Sequence, residues 1–137
     1  MTSKKKIEPQ WIYKGKVIDD VLKTPEGSLA FIYRITLSDG RYYIGRKTMW
    51  KPKFTSGKNK GVSKGEYPWK NYKGSSKELL SIMKEGKLTY TKDIIKFCYS
   101  KTETSYAETV EILCSGALLD PNCFNYWIKA TVYAKHL

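Results

Sequence analysis

The chain has 137 residues, 41% of them hydrophobic, and carries 25 Lys or Arg against 13 Asp or Glu for a formal net charge of +12. That length and apolar share fit one domain with its own core, and the charge points to a polyanionic partner, a nucleic acid or an anionic surface. No window approaches the ~18 consecutive apolar residues of a membrane span, and the basic start Met1 to Lys6 is not followed by the apolar run of a secretory signal, so a cytoplasmic protein is expected. The three cysteines, Cys98, Cys114 and Cys123, match no C-x-x-C spacing and are expected as reduced, buried thiols.

In chain order, residues 1–10 read as a disordered basic arm and 11–137 as a single domain. Trp11 to Ile18 alternates weakly around Gly15 and suggests a small strand or hairpin that packs an aromatic against the rest. Thr24-Pro25-Glu26-Gly27-Ser28 is turn chemistry. Next come two runs rich in Ile, Tyr, Phe and Thr, Ala30 to Leu37 and Tyr42 to Lys47, joined through Ser38-Asp39-Gly40-Arg41. An Asp-Gly pair between such runs is a strong hairpin signal. In the first strand Phe31, Tyr33, Ile35 and Leu37 share a face, and in the second Tyr43 precedes Ile44, Gly45, Arg46 and Lys47.

Thr48 to Tyr72 has neither strand nor helix period and is longer than the ~12 to 15 residues usual for a loop in a compact domain. From Arg41 to Lys77 there are eleven Lys or Arg and one acidic residue, Glu66, so net +10 of the chain's +12 lies there. Trp50, Phe54, Tyr67, Trp69 and Tyr72 alternate with these cations, including Lys53. Such interleaving suits neutralisation of a phosphate backbone together with stacking on bases; the other reading is a solvated loop whose aromatics pin it to the core.

Ser75 or Ser76 caps a helix that runs to about Glu85, with Leu79, Leu80 and Met83 inward and Gly86 as its stop. Gly74-Ser75-Ser76-Lys77 places free N–H groups and a cation at its start, where phosphate binds readily. Thr89 to Cys98 is expected as a third strand, with its alternation broken near Ile94. Thr104 to Leu119 is expected as the second helix, with Tyr106, Ala107, Val110, Leu113, Cys114, Ala117 and Leu118 forming an apolar stripe. Asp120-Pro121-Asn122 ends it, and Cys123 to Ala134 is an aromatic segment, helix or strand, before a short tail. There is no internal repeat.

Phe31-Ile32-Tyr33 and Tyr43-Ile44-Gly45, ten residues from tyrosine to tyrosine, resemble the paired signature of the GIY-YIG nuclease superfamily, with Phe31 in place of the first Gly. Trp69 to Ser76, Ser105-Tyr106-Ala107-Glu108 and Phe124 to Ile128 extend the similarity, in that order, to a phage-type, homing-like branch from about Trp11 onward. The resemblance implies an α+β fold: a small antiparallel β-sheet, the central hairpin plus a third strand, flanked by α-helices. It also implies a DNA endonuclease dependent on Mg²⁺ or Mn²⁺, RNA not being excluded as substrate, with Tyr33 and Tyr43 as motif tyrosines and Gly45 as the closing glycine. Glu108 would then be the metal ligand and Asn125 the asparagine that fixes backbone at the site.

The residues themselves leave choices open. A phenol has a reference pKa of about 10, so either tyrosine needs a cation nearby to act as a base near neutral pH. Ser105-Tyr106-Ala107-Glu108 also fits a capping box, which would occupy Glu108, and Glu111 lies nearer the apolar stripe. The family's arginine on the first helix has no counterpart, so Arg46 is expected to replace it, helped by Lys47 or Lys77. The only histidine, His136, is read as a bystander near the chain end. A small domain with one site needs homodimerisation, or two binding events, to cut both strands. Phe31 and the absent helical arginine motivate the alternative: a GIY-YIG fold that has lost catalysis and only binds nucleic acid.

Overall fold

A computed structural model describes residues 8–128, 132 and 134–137. Most of the expected basic arm, residues 1–7, therefore lies outside the described residues; at its end Glu8 pairs with Lys73 at 2.5 Å. The hairpin at the centre is β3 (Ala30–Leu37) and β4 (Tyr42–Thr48), antiparallel with Tyr33 opposite Gly45. Its connection closes through Leu37 N–H to the Arg41 carbonyl at 2.8 Å, with the Asp39 carboxylate accepting from the Arg41 backbone. The expected third strand, β5 (Tyr90–Cys98), pairs with the other side of β3.

Trp11–Tyr13 (β1) and Lys16–Val17 (β2) form the small N-terminal hairpin, and β1 lies parallel to β5. The sheet thus has five strands in the order β2-β1-β5-β3-β4, antiparallel except at the β1–β5 pair. The register of β5 shifts between Ile32 and Tyr33, where Ile95 is the extra residue. A bulge of this kind resets which residues share a face. It explains why Ile94 and Phe97, three apart, both join the core built on Phe31, Tyr33, Ile35 and Leu37.

Each face of the sheet carries its own core. One contains Trp11, Phe31, Tyr33, Met49, Trp69 and Leu79 and is covered by α1 (Lys77–Glu85) and the root of the long loop. The other contains Ile32, Tyr42, Ile44, Cys98 and Ile112 and is covered by α2 (Lys101–Cys114). The Ser76 hydroxyl caps α1 and Gly86 ends it in the left-handed region. Inward from α1 come Leu79, Ile82 and Met83, while Leu80, expected inward, is 36% exposed.

The second helix corrects the sequence reading. It starts three residues earlier than expected because Ser100 accepts from Glu103 N–H at 3.1 Å while Glu103 reaches back to Tyr99 N–H, so the cap lies at 100–103 and not at 105–108. It ends at Cys114, where Gly116 turns left-handed and a short 3-10 turn covers Ala117–Leu119. The buried line is Thr104 and Ile112, with Tyr106, Val110, Leu113 and Cys114 exposed. The apolar stripe counted from sequence therefore faces outward over much of its length, because the sheet selects the neighbouring face. Cys98 and Cys123 are buried as expected, and Cys114 is not.

Residues 48–72 form a ragged hairpin. Lys51 N–H bonds to Gly65 O, Phe54 N–H to Val62 O, and Tyr67 N–H to Met49 O. The final aromatic segment has no regular element over 123–128, although Cys123 bridges Tyr42 at the β4 edge, and a 3-10 turn covers Ala134–His136; residues 129–131 and 133 lie outside the description. Among the described residues no helix is long and apolar enough to cross a membrane.

Candidate active site

β4 is the edge strand of the sheet. Alternation along it sends Tyr43 to the α1 face and Tyr42, Ile44 and Arg46 to the α2 face. At an edge, side chains from both faces can turn to the same solvent. A cleft of about 550 Å³ opens there, walled by Tyr43 and Arg46 of β4, Ser75 and Lys77 at the start of α1, Glu108 of α2, and Asn125. Residues from four separate segments thus meet in one place.

The backbone at this edge is held by a side chain. Asn125 is buried; its Oδ1 accepts from Ile44 N–H at 2.9 Å and its Nδ2 donates to Ile44 O at 2.8 Å. The amide thereby does what another strand would do, satisfying both backbone groups of a buried residue. Asn125 is thereby tied to Ile44, the residue that follows Tyr43.

Tyr43 Oη lies 3.1 Å from Ser75 Oγ. Burial raises its pKa, opposed by that hydrogen bond, so Tyr43 stands as a neutral phenol at the cleft wall. Tyr33 is placed differently from expectation: it is 1% exposed and does not line the cleft. Burial, followed by the neighbouring Tyr72 and Tyr43, pushes its pKa well above the ordinary phenol value. Its ring packs edge-on to Tyr72, at 5.9 Å between centroids, and beneath Gly45. A Cβ on Gly45 would stand 2.6 Å from Tyr33 Cζ, which is why the motif closes on glycine.

Arg46 Nη1 donates to Ser105 Oγ, which orients the guanidinium along α2 toward Glu108, one turn further on. Glu108 faces the cleft and makes no hydrogen bond or ion pair within 4 Å among the described residues. Burial raises its pKa, and Arg46 is the one opposing influence. Glu111 lies elsewhere, at a small cavity of about 130 Å³ with Ile95 and Val110. The capping role considered for Glu108 is thus filled by Glu103, and Glu111 does not line the cleft.

Three expected nucleic-acid contacts are not brought to this cleft. Trp69 has no exposed surface; its ring packs edge-on to Phe31 at 6.0 Å and its Nε1 donates to Glu66, so it is a core residue and has no face on which a base could stack. Lys53 is on the outer hairpin beside Ser63 and Tyr99. Lys47 points instead into a neighbouring cleft.

Sequence reasoning missed two groups. Glu78 lines the cleft and accepts from Tyr126 Oη at 2.5 Å, with Tyr126 and Trp127 both largely exposed at the rim; an acidic residue in a first helical turn gives no sign of this. Lys92 is fully buried, donates to the carbonyls of Lys70 (3.0 Å) and Tyr72 (2.8 Å), and lies 4.3 Å over the Trp11 ring. Burial lowers its pKa to about 8. It anchors the chain just before Gly74 and Ser75, and its only sequence signal is its place in the alternation of β5.

Among the described residues no group of three or more His, Cys, Asp and Glu is gathered to hold a metal. The donor set suits a hard cation that keeps most of its water, for which one carboxylate suffices. Glu108 fits: a half-buried carboxylate without a hydrogen-bonding partner is costly unless something cationic meets it.

A family model described as "Putative endonuclease segE, GIY-YIG domain" matches residues 11–128. No curated protein and no solved structure matches the chain.

Proposed function

Because this chain belongs to the segE group of the GIY-YIG nuclease family, we propose that it is a DNA endonuclease that hydrolyses phosphodiester bonds in this cleft with the help of Mg²⁺ or Mn²⁺. The observation that carries the reading is the convergence of Tyr43, Arg46 and Glu108, from the two faces of one edge strand and from α2, on a single open cleft.

Each residue then has a task. Arg46 holds the scissile phosphate with its planar fork and offsets the charge gathering on it, a role that a guanidinium fills better than an ammonium. Its bond to Ser105 fixes its direction in advance. Lys77 and the N-terminus of α1 receive an adjoining phosphate. Tyr43, directed by Ser75, orients the attacking water as a hydrogen-bonding phenol. Tyr33, Gly45 and Asn125 act as positioning residues beneath the strand. Glu108 would hold the divalent cation, which when bound supplies charge stabilisation at the leaving 3′ oxygen. One cleft cuts one strand, so cutting of both requires a homodimer or a second binding event.

The binding-only alternative draws on Phe31 and on the missing helical arginine. Phe31 is wholly in the core, 4.9 Å from the Trp11 ring, so its replacement of glycine leaves the cleft unaltered. Arg46 offers a guanidinium from β4 instead. Both observations favour the nuclease.

The test is incubation of purified protein with supercoiled plasmid. Nicking with Mg²⁺ or Mn²⁺ that stops with EDTA is the expected result. Salt-sensitive binding of plasmid, single strands and RNA without any cleavage would transfer the assignment to the binding module.

A further inference from the structure

Arg46 also borders a second cleft of about 520 Å³, which Glu108 does not line. Its walls are Trp50, Tyr67 and Tyr72, all half-buried, with Lys47, Arg46 and Lys101 as its cations. A volume in this range is that of a small-ligand site. Arg46 lines both clefts, so a strand that places a phosphate on Arg46 continues directly into the second.

The arrangement inside this cleft has one unusual member. Lys47 Nζ stands 4.5 Å from the Tyr72 ring centroid and 5.4 Å from that of Tyr67. The three ion pairs among the described residues include neither Lys47, Arg46 nor Lys101. Within this cleft Lys47 and Lys101 have no paired carboxylate, and Lys47 is held in place by two aromatic faces. Phosphate binding alone would require only the cations. Three partly exposed rings beside them add flat apolar surface, which is what a base stacks on.

We propose that this second cleft is a nucleobase site: it takes the base of an unpaired nucleotide next to the scissile phosphate, with the ring stacked on Tyr67 and that nucleotide's phosphate on Lys47. A base inside a duplex is covered on both faces, so the substrate strand is either single at this point or has one base turned outward. The proposal rests on the nuclease reading of the first cleft for its register, but its test does not depend on cleavage.

The experiment measures binding in EDTA of a ten-nucleotide thymidine strand and of the abasic strand with the same phosphates. The wild type is expected to bind the natural strand about tenfold more tightly, the worth of one stacked base. Tyr67→Ala should lose that preference and keep its affinity for the abasic strand, while Tyr67→Phe should retain the preference. Equal binding of both strands by the wild type, no binding of either, or a preference unchanged in Tyr67→Ala would overturn the proposal. A duplex with one 2-aminopurine identifies the source: rising fluorescence on binding supports an outward-turned base, and preference for the natural strand without that rise supports a single strand. Base preference in a protein that fails to nick plasmid would sink the nuclease reading and leave the base site standing.

Discussion

Tyr33 lies directly beneath Gly45, its register partner across the hairpin, so closely that a Cβ on the glycine would stand 2.6 Å from Tyr33 Cζ and nearer still to its Oη. Gly74, held at φ +90°, closes over the same hydroxyl, with a Cβ there falling 3.4 Å from it. The ring is thus packed under the two backbone segments that carry Tyr43 and Ser75. Gly45→Ala must displace either the ring or the strand. The expected cost is about 1 to 3 kcal/mol, the usual range for overpacking, read as a lower urea midpoint with an unchanged slope. An alanine variant as stable as the wild type would show that Tyr33 is free to move.

Asn125 and Ile44 give a second prediction. Removing the amide leaves a buried N–H and C=O at Ile44 without partners, and such groups cost about 1 to 3 kcal/mol. Asn125→Ala should fall in that range. Asn125→Asp should do no better, since a carboxylate can accept from Ile44 N–H but cannot donate to Ile44 O. Thermal melts of the two variants check this; an aspartate variant of wild-type stability would refute the paired geometry.

Much of this was legible beforehand, and the exceptions have physical causes. The hairpin was readable because an Asp-Gly turn and period-2 alternation act locally, and α1 because Ser76 and Gly86 mark its ends. The break near Ile94 was visible as a broken alternation and proves to be the bulge at Ile95. The face of α2 was not readable. Its sequence offers two adjacent stripes, and the larger apolar one, through Tyr106, Val110 and Leu113, is exposed. The buried one passes through Thr104, Glu108 and Ile112, so that the carboxylate facing the cleft occupies a position that an apolar count assigns to solvent. Trp69 misled for the opposite reason: an aromatic among lysines looks like a stacking residue, yet the loop's root belongs to the core. The parallel β1–β5 pairing joins strands that are distant in the chain, and no local signal announces it.

The burial of Glu108 makes stability depend on pH. Burial raises its folded pKa above the unfolded value, so the folded state binds the proton more tightly. Its contribution to stability is therefore present below the unfolded pKa and lost as pH rises through the folded one. Glu108→Gln should melt higher than the wild type at pH 7, with the difference shrinking as pH falls toward the ordinary carboxylate range. A glutamine variant that melts lower at pH 7 would mean that the carboxylate is stabilised as an anion.

Lys92 has the reverse dependence. Its folded pKa is lowered to about 8 from an ordinary 10.5. Between those values the unfolded chain binds the proton and the folded one does not, so this group makes stability rise with pH across that window. The unfolding free energy of the wild type minus that of Lys92→Met should therefore rise from pH 8 to pH 10. A flat difference would place the ammonium in better contact with water than its burial implies.

Arg46 should not be replaceable by lysine. Arg46→Lys keeps the charge but loses the planar fork and its bond to Ser105. Single-turnover cleavage is expected to fall about 100-fold with a smaller change in DNA affinity, as for removal of one donor to developing charge. Equal losses in both would assign Arg46 to binding alone.

The most direct measurement compares single-turnover nicking of supercoiled plasmid, in Mg²⁺ and in Mn²⁺, by the wild type, Glu108→Gln and Glu111→Gln. The role proposed for Glu108 predicts that Glu108→Gln loses at least about 100-fold while Glu111→Gln stays within a few-fold of wild type. A Glu108→Gln protein that nicks at the wild-type rate would contradict the assignment of this cleft as the active site.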